Sequence, residues 1–90
     1  MQFQWDENKR QEVLKARDVD LLYAARIFKG RVLTDIDDRR DYGEERLISL
    51  GMVGDECFFV IHTQRIKTIR LITAWKGGRD DKKRYQDSIA

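Results

Sequence analysis

Ninety residues, 41% hydrophobic and 38% charged, make one domain with a single core (residues 1–90), too small for a multi-step enzyme built around a bound dinucleotide. No run of about 18 apolar residues is present to span a bilayer, and the opening MQFQWDENKR lacks the basic leader and apolar core of an export signal, so a cytoplasmic address is expected. The net charge of +2 hides an asymmetry: residues 1–56 carry ten Lys/Arg against thirteen Asp/Glu and residues 57–90 eight against three, which points to a polyanion or an acidic partner.

Phe3 and Trp5 alternate with Gln2 and Gln4, which suits a short strand before Asp6 caps a helix from about Glu7 to Arg17. Asp20 caps a second helix, in which Leu21, Ala24, Ala25 and Phe28 recur at the spacing of one buried face, and Gly30 is expected to end it in the left-handed conformation. Strand signals follow at Arg31–Ile36, Glu45–Val53, Glu56–Arg65 and Lys67–Lys76, rich in Val, Ile, Thr and aromatic residues. Gly54-Asp55 supplies a tight hairpin turn and the segment at Ile66 is too short for a crossover, so the four form an antiparallel meander. Cys57 to Ile61 is apolar at every position, the mark of a central strand buried on both faces. The connection Asp37 to Arg46, DDRRDYGEER, reads as a solvated hairpin loop held by local ion pairs. Arg79 to Ile89 reads as a basic helix with Lys82 and Lys83 on one side and a small apolar stripe of Tyr85 and Ile89. The order is β-α-α-β-β-β-β-α, an α+β chain.

The stretch Cys57 to Arg79 carries five basic residues, one histidine and no acid. One histidine and one cysteine do not make a catalytic zinc site, which takes three protein ligands; carboxylates at Asp35, Asp37 and Asp38 read as solvation rather than a magnesium site. Gly77-Gly78 is not followed by the Lys-Ser/Thr pair of a nucleotide loop. No cofactor is expected, and metal-free chemistry on a phosphodiester remains. RNA carries its own nucleophile, the 2′-hydroxyl, so a protein cleaves it by positioning the backbone, moving one proton and neutralising the phosphorane. Arginine suits the last task, because its planar fork matches two phosphate oxygens and keeps its charge. Strict alternation puts Phe58, Val60 and His62 on one face of the central strand and Phe59, Ile61, Thr63 and Arg65 on the other; on the last strand it groups Arg70, Ile72, Ala74 and Lys76 against Ile69, Leu71, Thr73 and Trp75. Whether Arg65 and Arg70 converge depends on register. His62 is either a proton shuttle or a satisfied structural residue, Trp75 either a packed aromatic or a platform for an unpaired base, and Tyr85 either packing or a phosphate contact.

Four stretches together are similar to one family: FQWDENKR at Phe3–Arg10, AARIFKG at Ala24–Gly30, DDRRDYGEERLISLG at Asp37–Gly51 and IRLITAWK at Ile69–Lys76. Over nearly its whole length the chain resembles the BrnT family of type II toxin–antitoxin ribonucleases. The resemblance implies a RelE-like fold, helices on an antiparallel sheet, and a toxin that cleaves RNA without a metal and inhibits translation. It also implies a BrnA-like antitoxin with a ribbon-helix-helix part, a hetero-oligomer that reaches operator DNA only through the antitoxin, and no membrane. On this basis Arg65, Arg70, Lys76 and His62 are the catalytic candidates, and Arg79, Lys82, Lys83, Tyr85 and Trp75 the RNA-binding ones. Trp75 stands where relatives commonly have arginine, Asp81 is the nearest counterpart of a family glutamate, and Ala16-Arg17-Asp18 stands where relatives tend to have Lys-His-Gly. The alternative implied by Trp75 is a weakened or inactive homologue that binds an antitoxin and tunes operon repression.

Overall fold

Asp6 starts the first helix by accepting from the Asn8 and Lys9 amides at 2.9 and 3.3 Å, which satisfies two of the donors a helix start leaves open. The computed structural model describes residues 1–89, with side chains through Ser88. Its elements are β1 (Gln2–Gln4), α1 (Glu7–Arg17), α2 (Leu21–Ala24) running into a 3-10 segment (Ala25–Lys29), β2 (Leu33–Ile36), β3 (Leu47–Val53), β4 (Glu56–Gln64), β5 (Thr68–Lys76) and α3 (Arg79–Ile89). The Ile89 half of the expected apolar stripe on α3 lies outside the described side chains.

The strands form one five-stranded sheet in the order β1-β5-β4-β3-β2. Strands β2 to β5 are the expected antiparallel meander, and Gly54 turns the β3–β4 hairpin with φ +60, as such a tight turn needs. The sheet is mixed rather than purely antiparallel, because β1 pairs parallel to β5 over Gln2↔Thr68 to Gln4↔Arg70. Parallel neighbours need a long connection, and here the whole helical and meander region lies between the two strands. Beyond Arg70 the outer edge of β5 is not covered by β1; α1 lies there, and Arg17 Nη1 donates to the Ala74 carbonyl at 3.2 Å, pairing an edge acceptor that would otherwise face outward.

The second helix also departs from expectation. After one α turn it tightens to 3-10, and Leu21, Ala24 and Ile27, spaced at three, are fully buried, which matches three residues per turn. Tightening brings Ile27 onto β3 at Gly51, where an added Cβ would stand 2.7 Å from Ile27 Cβ. Gly30 is extended, at φ −117 and ψ −163, so the chain leaves the segment without a left-handed turn. Asp18, not a glycine, takes the left-handed position at the end of α1, at φ 56. Arg10 ties the two helices together, its Nε and Nη2 donating to the Asp20 carboxylate at 2.8 and 2.9 Å.

One face of the sheet is covered by these helices. Phe58 and Val60 of β4, with Ile69, Leu71 and Ala74 of β5, pack there against Val13, Leu21, Ala24 and Ile27. The other face has α3 at one end, where Tyr85 packs on Leu50 and Cys57, and the β2–β3 loop at the other. Burial raises the Cys57 thiol pKa, as suits a small packed hydrophobe.

Candidate nucleic-acid interface

Register decides which side chains share the second face. Cross-strand partners in an antiparallel pair point the same way, so Phe59 with Trp75, and Ile61 with Thr73, lie on one side. Between Ile61 and His62 the register shifts: Ile61 faces Thr73 but His62 faces Leu71, so Ile72 is an extra residue in β5. A bulge of this kind breaks the alternation. Arg70, opposite Thr63, therefore joins Thr73 and Trp75 on the second face, while Lys76, opposite Phe58, lies on the helix-covered side. This corrects the grouping of Arg70, Ile72, Ala74 and Lys76 that strict alternation predicts. Arg65 follows Thr63 by two positions, just past the end of β4, and its Nη2 lies 3.9 Å from Glu44.

The β2–β3 loop folds onto this face and is more than a solvated connection. Asp37 is 5% exposed; it accepts from Arg39 Nε and Nη2 at 2.6 and 2.9 Å and from the Tyr42 hydroxyl at 3.3 Å. The Arg39 hydrogen bonds hold the Asp37 carboxyl below the usual carboxylate range. So anchored, the Arg39 guanidinium lies 5.5 Å from the centre of the Trp75 ring, and Arg17 from the end of α1 lies 5.4 Å from it. Phe59 stacks on Trp75 with centroids 5.4 Å apart. Arg40 and Arg46 stand 5.3 and 4.1 Å from the Tyr42 ring.

Between loop and sheet is a cavity of about 410 Å³ lined by Lys9, Arg17, Arg39, Arg40 and Arg46, by the Tyr42 and Trp75 rings, and by Ile61, Ile72 and Thr73. Five cations and no carboxylate line it. Such a space offers charge for phosphate and flat rings for bases, the combination that unpaired nucleic acid requires.

The remaining sequence candidates lie elsewhere. His62 is 3% exposed on the covered face, where its Nε2 is 2.8 Å from Ser49 Oγ, which is in turn 2.7 Å from Thr34 Oγ1. Its ring meets Phe28 edge-on at 5.0 Å, and burial pushes its pKa down to about 4, so it is neutral near pH 7. Lys76 pairs with Glu56 at 3.0 Å, a hydrogen bond that raises the pKa of its amine. On α3, the Tyr85 hydroxyl donates to the Arg31 carbonyl at 2.7 Å, Lys82 donates to the Asp55 carbonyl at 2.8 Å, and Lys83 pairs with Asp87 at 2.9 Å. Arg79 is exposed at the start of that helix, and Asp81 accepts from the Gly78 amide at 2.8 Å there. The structure thus brings Trp75, Arg70 and Arg65 to one face, puts His62 and Lys76 on the other side of the sheet, and sets the α3 residues at the far end of the second face, outside the cavity lining. Sequence reasoning did not select Arg17, Arg39, Arg40, Arg46 and Tyr42 as site residues. The available signal was the recurrence of arginine with a tyrosine inside DDRRDYGEER, a pattern that simple ion pairing does not need.

A family model described as the ribonuclease toxin BrnT of type II toxin–antitoxin systems matches residues 5–81. The chain belongs to the BrnT family. The match takes in α1, the Asp37–Arg46 loop and all of β5, which are the segments that build the cationic cavity. BrnT proteins are ribonuclease toxins, and a type II system pairs its toxin with an antitoxin. No curated protein matches the chain. Among the described residues no helix is long and apolar enough to cross a membrane.

Proposed function

We propose that this BrnT protein is a metal-independent endoribonuclease that binds RNA across the second face of its sheet and inhibits translation by cleaving it. The observation that carries this reading is the acid-free cavity, in which five cations surround two aromatic rings. In the proposed reaction the RNA 2′-oxygen attacks the adjacent phosphorus and the bond from phosphorus to the 5′-oxygen breaks. The 2′-hydroxyl proton leaves to a base and the departing oxygen takes one up, giving a 2′,3′-cyclic phosphate and a 5′-hydroxyl end. Arg65 and Arg70, with Arg17, Arg39 and Arg46, neutralise the charge that gathers on the phosphorane, where a single donor is worth roughly 10²–10³ in rate. Trp75 and Tyr42 stack bases. Donor chemistry supports the metal-free route, since the groups gathered here are guanidiniums rather than carboxylates.

The same face is proposed to receive a BrnA-like antitoxin, whose acidic segments would compete with RNA and whose ribbon-helix-helix part would carry the complex to operator DNA. A RelE-like fold and a cytoplasmic setting go with this reading. The second reading, a weakened toxin acting as an antitoxin-binding module, is favoured by one observation: His62 and Lys76, the proton-moving candidates, both lie on the covered side, leaving Lys9 as the one amine in the cavity lining. Expression without an antitoxin decides between them. The ribonuclease reading predicts growth arrest, together with new RNA bands when the pure protein is incubated with RNA in EDTA. Normal growth and intact RNA would leave the binding module.

A further inference from the structure

Across the second face, one row of side chains stands out from its surroundings. Thr63 pairs with Arg70 on one side; on the other, the β3–β4 register continued one step past Leu47↔His62 brings Arg46 beside it. The Asp37 amide donates to the Arg46 carbonyl at 2.7 Å, so Arg46 continues the line of β3 as the partner of β2. Thr63 is 4% exposed, yet its Oγ1 has no hydrogen-bond partner among the described residues. The buried Nε of Arg46 has none either, since Glu44, at 3.9 Å, is beyond hydrogen-bond reach. Arg70 forms no ion pair among the described residues. On the covered face the hydroxyls of Thr34 and Ser49 are both satisfied, and the buried atom there without a partner among the described residues, His62 Nδ1, belongs to a neutral ring rather than to a cation. Buried polar groups are seldom left unpaired, and two neighbouring unpaired donors flanked by a second guanidinium describe a place for an acceptor with negative charge.

We propose that Arg46, Thr63 and Arg70 form a phosphate-binding subsite that takes a non-bridging oxygen of an RNA phosphodiester between the two guanidiniums. The inference rests on the ribonuclease reading above and adds to it a specific contact, the threonine hydroxyl. The Arg46 guanidinium lies 4.1 Å from the centre of the Tyr42 ring, a contact that restricts the side chain before RNA arrives. A carboxylate from an acidic peptide has the same charge, but the Tyr42 and Trp75 rings lining the cavity add stacking surface that a nucleobase uses and a carboxylate does not.

The test is a double-mutant cycle with Thr63→Val and Arg46→Gln, measuring binding of a fluorescent mixed-sequence oligoribonucleotide whose 2′-O-methyl sugars prevent cleavage. Each single variant is expected to weaken binding about five- to tenfold, Arg46→Gln is expected to lower the slope of log affinity against log salt by about one, and the double variant is expected to lose less than the product of the two. Thermal stability of Thr63→Val should match or exceed that of the parent, because a buried hydroxyl without a protein partner is removed. Arg46→Lys keeps the charge and gives a folded control if Arg46→Gln loosens the loop; it should restore the salt slope but not the full affinity. Unchanged binding of Thr63→Val, or independent losses that multiply, would overturn the subsite while leaving RNA binding by the parent, and with it the ribonuclease reading, intact. A parent that does not bind the oligoribonucleotide, or binds only an acidic peptide, would overturn both.

Discussion

On the helix-covered face β4 contributes Phe58, Val60 and His62 to a tightly filled core, whereas the same strand gives Phe59, Ile61 and Thr63 to a face that α3 and the β2–β3 loop cover only in part. The two faces also treat polar groups differently. On the covered face His62 Nε2, Ser49 and Thr34 form a hydrogen-bonded chain, with His62 Nδ1 left without a partner among the described residues, and the histidine is held neutral. On the other face guanidiniums stand over aromatic rings, and buried donors at Thr63 and Arg46 have no protein partner. Paired polar groups stabilise a fold; open cationic ones are available to a ligand. Two residues adjacent in sequence, His62 and Thr63, thus lie in different surroundings because a strand alternates its side chains.

Breaking the covered face should change stability and leave RNA handling alone. The largest such effect is expected from pH. His62 has a folded pKa of about 4, below its ordinary 6.5, so the unfolded chain takes up a proton before the native one does. Its contribution is fully present above pH 6.5 and is lost as pH falls toward 4, amounting to about 3 kcal/mol. Denaturant melts at pH 7 and pH 4 should show this loss in the parent and a smaller one in His62→Gln, the remaining carboxylate contributions being shared. Equal losses in both would remove His62 from the covered-face account. Next in size is Gly51→Ala, whose Cβ would meet Ile27 at 2.7 Å and Val32 at 3.1 Å. Overpacking of this kind costs about 1–3 kcal/mol and lowers Tm by roughly 4–8 °C per kcal/mol, with RNA cleavage by the folded protein unchanged. Smallest is Asp18→Gly, at the left-handed position that ends α1. It relieves a left-handed φ of 56 and removes a negative charge at a helix C-terminus, for a gain of about 0.5–1 kcal/mol by calorimetry.

Sequence reading succeeded where the signal was local. Asp6 as a cap located α1 at Glu7–Arg17, Gly54-Asp55 located the hairpin, and the unbroken apolar run at Cys57 located the central strand. Three features depend on contacts far apart in the chain and left no local trace. The parallel partner of β1 is some 65 residues away, as Gln2↔Thr68. The bulge at Ile72 is a matter of register between two strands of ordinary composition, yet it reassigns Arg70 and Lys76 to opposite faces. The second helix tightens because Ile27 must reach Gly51, which its own periodicity does not reveal. For the site, Arg65, Arg70 and Trp75 were legible as cations and an aromatic on late strands. Their company was not: Arg17 comes from the end of α1 and Arg39 from a loop that reads as solvated until Asp37 is seen to anchor it. Trp75 has two guanidiniums beside its ring.

The central claim, that the second face and not the covered one handles RNA, is tested most directly by comparing Arg70→Gln with Lys76→Gln. Both variants remove one positive charge from β5, and simple alternation would put the two residues on the same side, but the bulge between them puts only Arg70 beside the cavity face. With pure protein, EDTA and one RNA substrate, the account predicts that Arg70→Gln slows cleavage by roughly 10²-fold or more while Lys76→Gln stays within about twofold of the parent. Equal losses in the two variants, or a larger loss at Lys76, would contradict it.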